Sequence, residues 1–481
     1  MTTLLTASRA ARRAAAALLG AAALAGAACS GDRFTEPNRN QPTITGAQND
    51  PNFVQFAVTG ILAANRNALD DYVLQTGIFG REVFNYTQTE GRNTSGYLAT
   101  FNDNAGFGAG GNWFVRYNNL RNIFNLNQFV AQSSLFDATQ RSAVLGFSAT
   151  MEANELSYVA ATRDTITDRL MPVETRPDPL DLPPFVSRDS AFNYIAARYN
   201  AGAAALAQGG GAFPFTLTTG FAGFNTPATF RQFNRALYAR LEAYRGSSGC
   251  GTACYTRALT ALGESFIDPT GALDLGVYGI YSTAANDAIN GLNTFGGAAR
   301  VIVAHPSAGT EFLRKADGTP DDRYTAKFVT LATPVNAPGQ NIGIPTQLGL
   351  RIYPTQDARV PVIRNAELIL LRAEARYFTG NVAGALEDIN TIRTRSGGLA
   401  PITAAAIATT DQFVTELLAQ RRWSLYLEGH RWIDHRRFGR LNQLPVDLPT
   451  QRVAYRQVIP QQECLSRRQL GLEPPPTCPT N

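Results

Sequence analysis

The chain is poor in lysine and in charge overall. Charged residues make up 17% of its 481 residues, and its 43 basic residues are nearly all arginines, since lysine occurs only as Lys315 and Lys327. The arginines are spread among 38 acidic residues and do not form one stripe, so the net charge of +5 does not indicate a nucleic-acid partner. With an apolar content of 44%, this composition excludes a highly charged disordered chain and indicates a packed globular protein.

The sequence also lacks the signatures of common catalytic sites. It contains no GxSxG nucleophile elbow, no Walker loop, no dinucleotide fingerprint and no HExxH. Two pairs of carboxylates lie close in sequence, but this does not establish the separation of several ångströms that glycoside hydrolysis requires. They are Glu152 with Glu155 and Asp321 with Asp322. We expect no enzyme activity and no cofactor.

Patterns that would bind a metal are weak. His430 and Asp434 are four residues apart on a predicted helix, with His435 beside them, and could chelate a metal from one face. Arginines occur at helical spacing on both sides of Asp434, which favours ion pairs. We expect a helix held in the fold by such pairs and no metal.

A long apolar run is missing too. The longest, AAAALLGAAALAGAA, has about fifteen residues, too few for a membrane-spanning helix. It follows three arginines and ends in small residues before Cys29, which predicts a signal peptide over residues 1–28. The sequence GAAC resembles a lipobox, so we expect lipidation of Cys29; a plain signal peptide is the alternative. Residues 29–51 are polar and aperiodic, as in a tether.

Helical periodicity then recurs along the chain. It predicts helices over 52–71, 113–130, 140–164 and 229–245, and Ser187 offers an N-cap to another that ends near Ala207. Adjacent helix pairs would bury one continuous core, as in helical repeats. Residues 267–361 lose this period and carry short alternating apolar runs. The expected fold is mainly α, with a less regular loop and strand lobe.

Residues 362–441 carry the clearest pattern. In the stretch 365–394, Ile369 and Ala373 share one helical face; Gly380 and Asn381 break the helix, and a second amphipathic helix follows. This predicts a helical hairpin whose small residues match tetratricopeptide offsets. A further helix is predicted over 411–438. Residues of alternating charge follow one another every three positions on it: Glu428, Arg431, Asp434 and Arg437.

These motifs resemble the C-terminal half of the SusD/RagB family. The resemblance rests on RNAELILLRAEA, a Gly-Asn turn, ALEDINTIRTRSGG, QRRWSLYLEGHRWIDHRRFG and a final VIPQ, in that order. Gln420 and Ser424 stand where the family usually has glutamates, and His435 where it usually has leucine, which puts local ion pairing in doubt. The resemblance implies one helical domain over 52–481 with the irregular lobe at 267–361.

It also implies a function. Members of the family are surface lipoproteins that bind nutrients, often oligosaccharides, and deliver them to a TonB-dependent SusC-like transporter of the outer membrane. We therefore expect a lipid-anchored outer-membrane protein without enzyme activity. The alternative is a tetratricopeptide-type scaffold that binds a protein or peptide and no small molecule, and a glycan hydrolase is a third, weaker interpretation.

Aromatic residues in irregular segments are the candidate ligand contacts, because sugars stack on flat rings with amide or guanidinium groups at the rim. Two such clusters occur, around 86–107 and 278–295. The predicted ligand-binding residues are Tyr86, Arg92, Asn93, Tyr97, Phe107, Tyr278, Tyr281 and Asn290. The three tryptophans lie on amphipathic helices and are expected in the core.

Four cysteines remain besides Cys29. An exported protein with an even number of cysteines is expected to oxidise them. Since each pair closes a local loop, we predict the disulfides Cys250–Cys254 and Cys464–Cys478. A metal site is the rival interpretation, but the CxxxC and Cx13C spacings lack the usual CxxC units.

Overall fold

A row of α-helices forms the body of the protein. The computed structural model describes residues 50, 52–100, 109–167, 184–293, 301–338, 342–472 and 478. The predicted signal peptide, Cys29, nearly all of the tether and Phe107 lie outside these residues. None of the described helices is both long enough and apolar enough to cross a membrane.

The α-helices of the described residues vary from one turn to seven turns in length. They are α1 (Phe53–Phe79), α2 (Arg92–Ser95), α3 (Ala109–Gln132), α4 (Ala138–Thr162), α5 (Arg188–Ala207), α6 (Pro227–Arg245), α7 (Thr252–Gly263), α8 (Ala308–Glu311), α9 (Asp322–Lys327), α10 (Asn365–Phe378), α11 (Val382–Gly397), α12 (Thr410–Ser424), α13 (Arg431–Arg437) and α14 (Gln461–Gln469).

The long helices pack in series. α1 packs on α3, and the row continues through α4, α5, α6, α7, α10, α11 and α12, each helix against the next. Ser187 caps α5 as predicted, its hydroxyl accepting a hydrogen bond from the Ser190 amide at 3.2 Å. Stacked neighbours bury a continuous core, and the mainly α fold is confirmed.

The predicted helical hairpin is formed by α10 and α11. Gly380 has a φ of +89°, a left-handed conformation that glycine adopts without strain. Asn381 then caps α11, because its side-chain oxygen accepts from the Gly384 amide at 2.9 Å. Ala373 and Ala385 are fully buried, so the two helices approach closely. This prediction is confirmed.

The single helix predicted over 411–438 is wrong, because a turn separates α12 from α13. Leu427 and Gly429 in this turn have φ values of +56° and +87°, which no helix accommodates. A Cβ on Gly429 would lie 2.8 Å from the Tyr72 ring of α1. The backbone amide of Leu427 donates to Glu82 Oε1 at 3.2 Å. The turn is therefore specified by the N-terminal part of the fold.

The ion pairs expected along this segment are only partly as predicted. Arg437 Nε lies 2.9 Å from Asp434 Oδ1, three residues away, as the alternation of charge suggests. Glu428 instead pairs with Arg364 at 2.8 Å, because the turn carries it off the helix face. Arg421 Nε also donates to Asp434 Oδ2 at 2.7 Å. The charges thus tie the segment to other helices more than to itself.

Short antiparallel strand pairs supply the irregular parts. They are β1 (Val83–Asn85) with β5 (Ile302–Ala304), β2 (Thr165–Thr167) with β3 (Phe185–Ser187), β4 (Gly276–Gly279) with β8 (Val360–Arg364), and β6 (Phe328–Val335) with β7 (Thr346–Leu350). Between α7 and α10 the described helices, α8 and α9, have four and six residues. The described part of residues 267–361 thus contains short strands and short helices.

Both predicted disulfides are present, and they differ in loop length. Cys464–Cys478 spans 14 positions and Cys250–Cys254 spans four. In the chain-entropy account, a disulfide that closes a longer loop restricts the unfolded chain more. Replacing Cys464 and Cys478 by serine should therefore lower the free energy of unfolding by about 3 kcal/mol, and replacing Cys250 and Cys254 by serine should lower it by about 2 kcal/mol. Urea unfolding of the two double variants measures this, and the reverse order would contradict it.

Candidate binding surfaces

The rings predicted to contact ligand in the first cluster are packed inside the protein. Tyr86 is fully buried, its ring stacks on Phe84 with 4.9 Å between centroids, and its hydroxyl donates to the Ile344 carbonyl at 2.8 Å. Tyr97 is buried against Phe79, edge to face at 5.7 Å. These contacts leave neither ring face open, so the burial corrects their assignment as stacking platforms.

The second cluster is packed in the same way. Tyr281 is buried, with its hydroxyl donating to the Arg66 carbonyl at 3.0 Å. Asn290 is buried, and its side-chain amide donates to the Ala358 carbonyl at 2.7 Å. Tyr278 lies under the Arg359 guanidinium, 3.9 Å from the ring centroid. Tyr281 thus holds the irregular lobe to α1, while Asn290 and Tyr278 make contacts within the lobe. This packing corrects the predicted role of all three residues.

A small part of Tyr278 faces a cavity of about 210 Å³ that Arg66 and Asp287 also line. This volume is below the range of about 300–1,000 Å³ typical of ligand pockets. Arg66 and Asp287 form an ion pair at 2.7 Å. A ligand in this cavity would therefore have to compete with an existing ion pair.

The two clusters do not form one pocket within the described part of the chain. Tyr97 packs at Phe79, near the end of α1, whereas Tyr281 packs at Arg66, thirteen residues earlier on the same helix. Thirteen residues of α-helix correspond to about 20 Å along the axis. The expectation that one site takes rings from both segments is not supported by this placement.

Among the described members of the predicted set, Arg92 and Asn93 reach the surface. Arg92 is exposed and its Nε donates to Glu90 Oε1 at 2.7 Å, so its guanidinium is held in place by a surface ion pair. Asn93 is partly exposed on the same short helix. Nearby, the Val301 amide donates to the Thr87 hydroxyl at 3.0 Å. Their contact with a ligand stays a prediction.

The structure contains a larger groove that the sequence does not predict. It has a volume of about 710 Å³ and lies among the end of α6, the loop closed by the Cys250–Cys254 disulfide, and the facing ends of α10, α12 and α13. Its wall includes Tyr255 and Phe378, stacked with 4.9 Å between ring centroids. Arg437 also lines the groove, 4.3 Å from the centroid of Phe438, and its charge is paired with Glu374 and Asp434. The volume is that of a typical ligand pocket.

The groove was missed because its parts are far apart in sequence. Tyr255 and Phe378 lie on α7 and α10, and Phe438 directly follows α13. Rings at such helical positions are usually part of the core. The glycine-rich loop before Cys250 carries no motif that points to binding. Only the packing of the helices against one another brings these residues together.

The histidine and carboxylate pairs considered for chemistry are engaged in structural contacts. His430 Nδ1 is 3.2 Å from the Tyr244 hydroxyl, and its Nε2 is 3.7 Å from Glu367. Glu155 pairs with Arg116 at 2.8 Å. The remaining members pair as follows: Glu152 with Arg198, Asp321 with Arg323 and Asp322 with Lys315. Within the described ranges no group of three or more metal-ligating side chains comes together.

Burial gives His430 an unusual protonation behaviour. It lowers the pKa of His430 to about 4, against the opposing effect of Glu367. In the unfolded chain this pKa is about 6.5, so the unfolded state binds the proton first as the pH falls. The charged groups that act on it are Glu367, Arg421, Arg240 and Asp434. His430 therefore favours the folded state above pH 6.5, and this contribution is lost as the pH falls from 6.5 towards 4.

We expect this loss to be measurable by urea unfolding at pH 7 and pH 5.5. Between these pH values His430 should account for a decrease of about 1 kcal/mol in the free energy of unfolding. His430→Gln removes the titrating group, so the variant should show a pH dependence smaller by that amount. An identical pH dependence in both proteins would contradict the burial argument.

The chain matches one family model and a set of solved structures. Residues 353–464 match the sequence model of the SusD family. No curated protein matches the chain. Among solved structures, a SusD superfamily protein from Bacteroides vulgatus superposes with a TM-score of 0.63 at 17% identity, covering 82% of this chain and 90% of that one.

Two further structures share the fold. A SusD superfamily protein from Parabacteroides distasonis has a TM-score of 0.64 at 14% identity, with 86% of this chain and 97% of that one covered. Surface glycan-binding protein A from Bacteroides thetaiotaomicron, solved in complex with laminarihexaose, has a TM-score of 0.63 at 13% identity and the same coverage. At these identities the likeness shows the fold.

Proposed function

The chain carries the SusD family segment at residues 353–464 within the SusD fold, and from this premise we propose that it is a non-catalytic surface lipoprotein that binds oligosaccharides. The observation that carries the proposal is the fold shared with a glycan-binding protein whose structure holds laminarihexaose. In this proposal the protein delivers its ligand to a TonB-dependent SusC-like transporter in the outer membrane. Arg92 and Asn93 contribute to the ligand contact.

We propose a protein without catalytic activity because one member of each carboxylate pair close in sequence is buried. A glycosidase needs one carboxylic acid and one carboxylate exposed on both sides of the scissile bond. Glu155 is fully buried among Arg116 and two asparagines, and Asp321 is fully buried against Arg323. These groups stabilise helix contacts and are not accessible to a polysaccharide chain.

A binding panel of neutral and acidic oligosaccharides and of peptides tests the proposal on the purified protein. We expect at least one oligosaccharide to bind and to be recovered intact. Arg92→Ala combined with Asn93→Ala should weaken that binding, whereas Arg231→Ala, at another exposed ion pair, should not. Equal binding by both variants would remove Arg92 and Asn93 from the site.

Lipidation of Cys29 is a separate part of the proposal and has its own experiment. A multiply acylated cysteine holds a protein stably on a membrane, whereas one acyl chain gives only marginal attachment. Cys29→Ser should therefore move the protein from the membrane fraction to the soluble fraction of the producing cell. Retention of the variant in the membrane fraction would show that another element anchors it.

A protein-interaction scaffold is the second candidate function. The observation that favours it is the 710 Å³ groove at the helix ends, where Asp411 and Arg440 stand at the mouth. Helical repeats present such concave surfaces to partner chains. Binding of peptides without binding of any oligosaccharide in the same panel would favour this function over the first.

A further inference from the structure

Three arginines converge on a single carboxylate at the end of α4. Asp164 lies 3.2 Å from Arg456 and 3.5 Å from Arg188, and the Arg436 guanidinium also donates to it. Within the described residues, Asp164 is the carboxylate that pairs with all three. Three guanidinium groups thus share one carboxylate, which cannot fill all of their hydrogen-bond donors.

The arginines retain capacity for further hydrogen bonds. The Nε–H of Arg436 is buried and has no acceptor among the described residues. Arg456 and Arg188 are partly exposed, so their guanidinium groups are accessible from solvent. A guanidinium carries five N–H donors in a planar fork that matches carboxylate and sulfate oxygens. The cluster can therefore accept a second anionic group beside Asp164.

An exposed aromatic ring stands next to this cluster. Tyr455 has 61% of its surface exposed, and the Arg436 guanidinium lies 5.5 Å from its ring centroid. The chain at this point is fixed, because the Gln457 amide donates to the Thr162 carbonyl at 2.9 Å at the end of α4. In contrast to Tyr86 and Tyr281, this ring presents a face to solvent on a held backbone.

We propose that Tyr455, Arg456 and Arg188 form a binding site for an anionic sugar residue. The apolar C–H face of the sugar ring stacks on Tyr455, and its carboxylate or sulfate group accepts hydrogen bonds from Arg456 and Arg188. The inference rests on the proposed oligosaccharide-binding function and names the ligand class for it: an acidic oligosaccharide rather than a neutral one.

Asp164 acts in this site as an internal competitor. It occupies the arginines in the unliganded protein and keeps their mutual repulsion low. Burial lowers the pKa of Arg436, and the Arg188 guanidinium lowers it further against the opposing effect of Asp164. Replacing the Asp164 carboxylate by an amide would remove this competing negative charge, so the arginines would bind an external anion more strongly.

The experiment titrates the full-length protein with three probes: an oligogalacturonide, a neutral oligosaccharide of the same length, and inorganic sulfate. The oligogalacturonide should bind at least tenfold more tightly than the neutral oligosaccharide, and its affinity should fall as salt is raised. Sulfate alone should bind more weakly, because it lacks a ring to stack on Tyr455.

Substitutions then locate the site. Arg456→Ala should weaken binding of the oligogalacturonide about tenfold, and Tyr455→Ala should weaken that binding while leaving binding of sulfate unchanged. Asp164→Asn should strengthen both. Arg231→Ala, an exposed arginine elsewhere, serves as the matched control and should change neither. Thermal unfolding of each variant checks that it is folded.

The outcomes separate the two proposals. If neutral oligosaccharides bind as tightly as the oligogalacturonide, or if Arg456→Ala has no more effect than Arg231→Ala, the anionic-sugar site is wrong while oligosaccharide binding stands. Sulfate binding that equals oligogalacturonide binding and does not change in Tyr455→Ala would show a simple anion site, which also overturns the proposal. If no oligosaccharide binds at all, the proposed function itself fails.

Discussion

Glu155→Ala is expected to lower the free energy of unfolding by about 3–5 kcal/mol, the cost of leaving a buried charge without its partner. Glu155 accepts hydrogen bonds from Arg116 at 2.8 Å and from the side-chain amides of Asn65 and Asn119 at 2.7 Å each. These residues come from α1, α3 and α4, and all four are buried. Removing the carboxylate thus breaks a contact that joins the first three long helices of the row. Urea unfolding measures the change.

A surface ion pair provides the matched control for Glu155→Ala. Glu264 pairs with Arg231 at 2.9 Å, but 39% and 36% of the two side chains are exposed. Glu264→Ala should cost no more than about 1 kcal/mol, because solvent screens such a pair. If the two variants lose equal stability, the Glu155 network does not hold the helix row together.

Trp432→Ala is the second substitution with a large expected effect, about 3–5 kcal/mol. Trp432 is fully buried on α13, its ring centroid lies 5.1 Å from that of Phe79 on α1, and its Nε1–H donates to the Ala454 carbonyl at 2.7 Å. The side chain therefore joins α13 to α1 and to the chain that follows α13. The variant would lose these contacts and leave a cavity.

The control for Trp432→Ala is a ring that is not buried. Tyr455→Ala, on the surface, should change stability by no more than about 0.5 kcal/mol. Trp432→Phe keeps much of the ring but loses the hydrogen bond to Ala454, so its cost should lie between the other two. Urea unfolding of the three variants under one set of conditions gives the order of their losses in stability. A loss for Trp432→Ala near that of Tyr455→Ala would contradict the role of Trp432 in joining α13 to α1.

The helical framework could be predicted from the sequence because its signals are local. Gly380, Asn381 and Ser187 set helix ends through their own backbone and side-chain chemistry, and the structure uses each of them as expected. The three tryptophans are buried, as their place on amphipathic helices suggests. Local propensity and tertiary packing agree at these positions.

The break between α12 and α13 could not be predicted in this way. Residues 411–438 have helical periodicity throughout, and Gly429 alone is a weak signal within a helix. The turn forms because Leu427 binds Glu82 and because Gly429 packs against Tyr72, partners more than 340 residues away in sequence. A contact of that range leaves no trace in a local pattern.

The predicted aromatic contacts were misplaced for a related reason. Tyr86 and Tyr281 were expected to contact ligand because they lie in segments without helical periodicity, but in the structure both rings are buried. Tyr86 and Tyr281 each donate a hydroxyl hydrogen bond to a backbone carbonyl, as buried tyrosines usually do. Composition alone does not distinguish a buried aromatic ring in an irregular segment from an exposed one.

Binding of an oligosaccharide without cleavage is tested most directly by titration calorimetry with the oligosaccharide that binds best in the panel. The sugar is then recovered from the calorimeter sample and its length is measured by chromatography. We predict saturable binding to the purified protein and recovery of the oligosaccharide at its original length. Shorter products that accumulate with time, or the absence of binding by every oligosaccharide tested, would contradict the account.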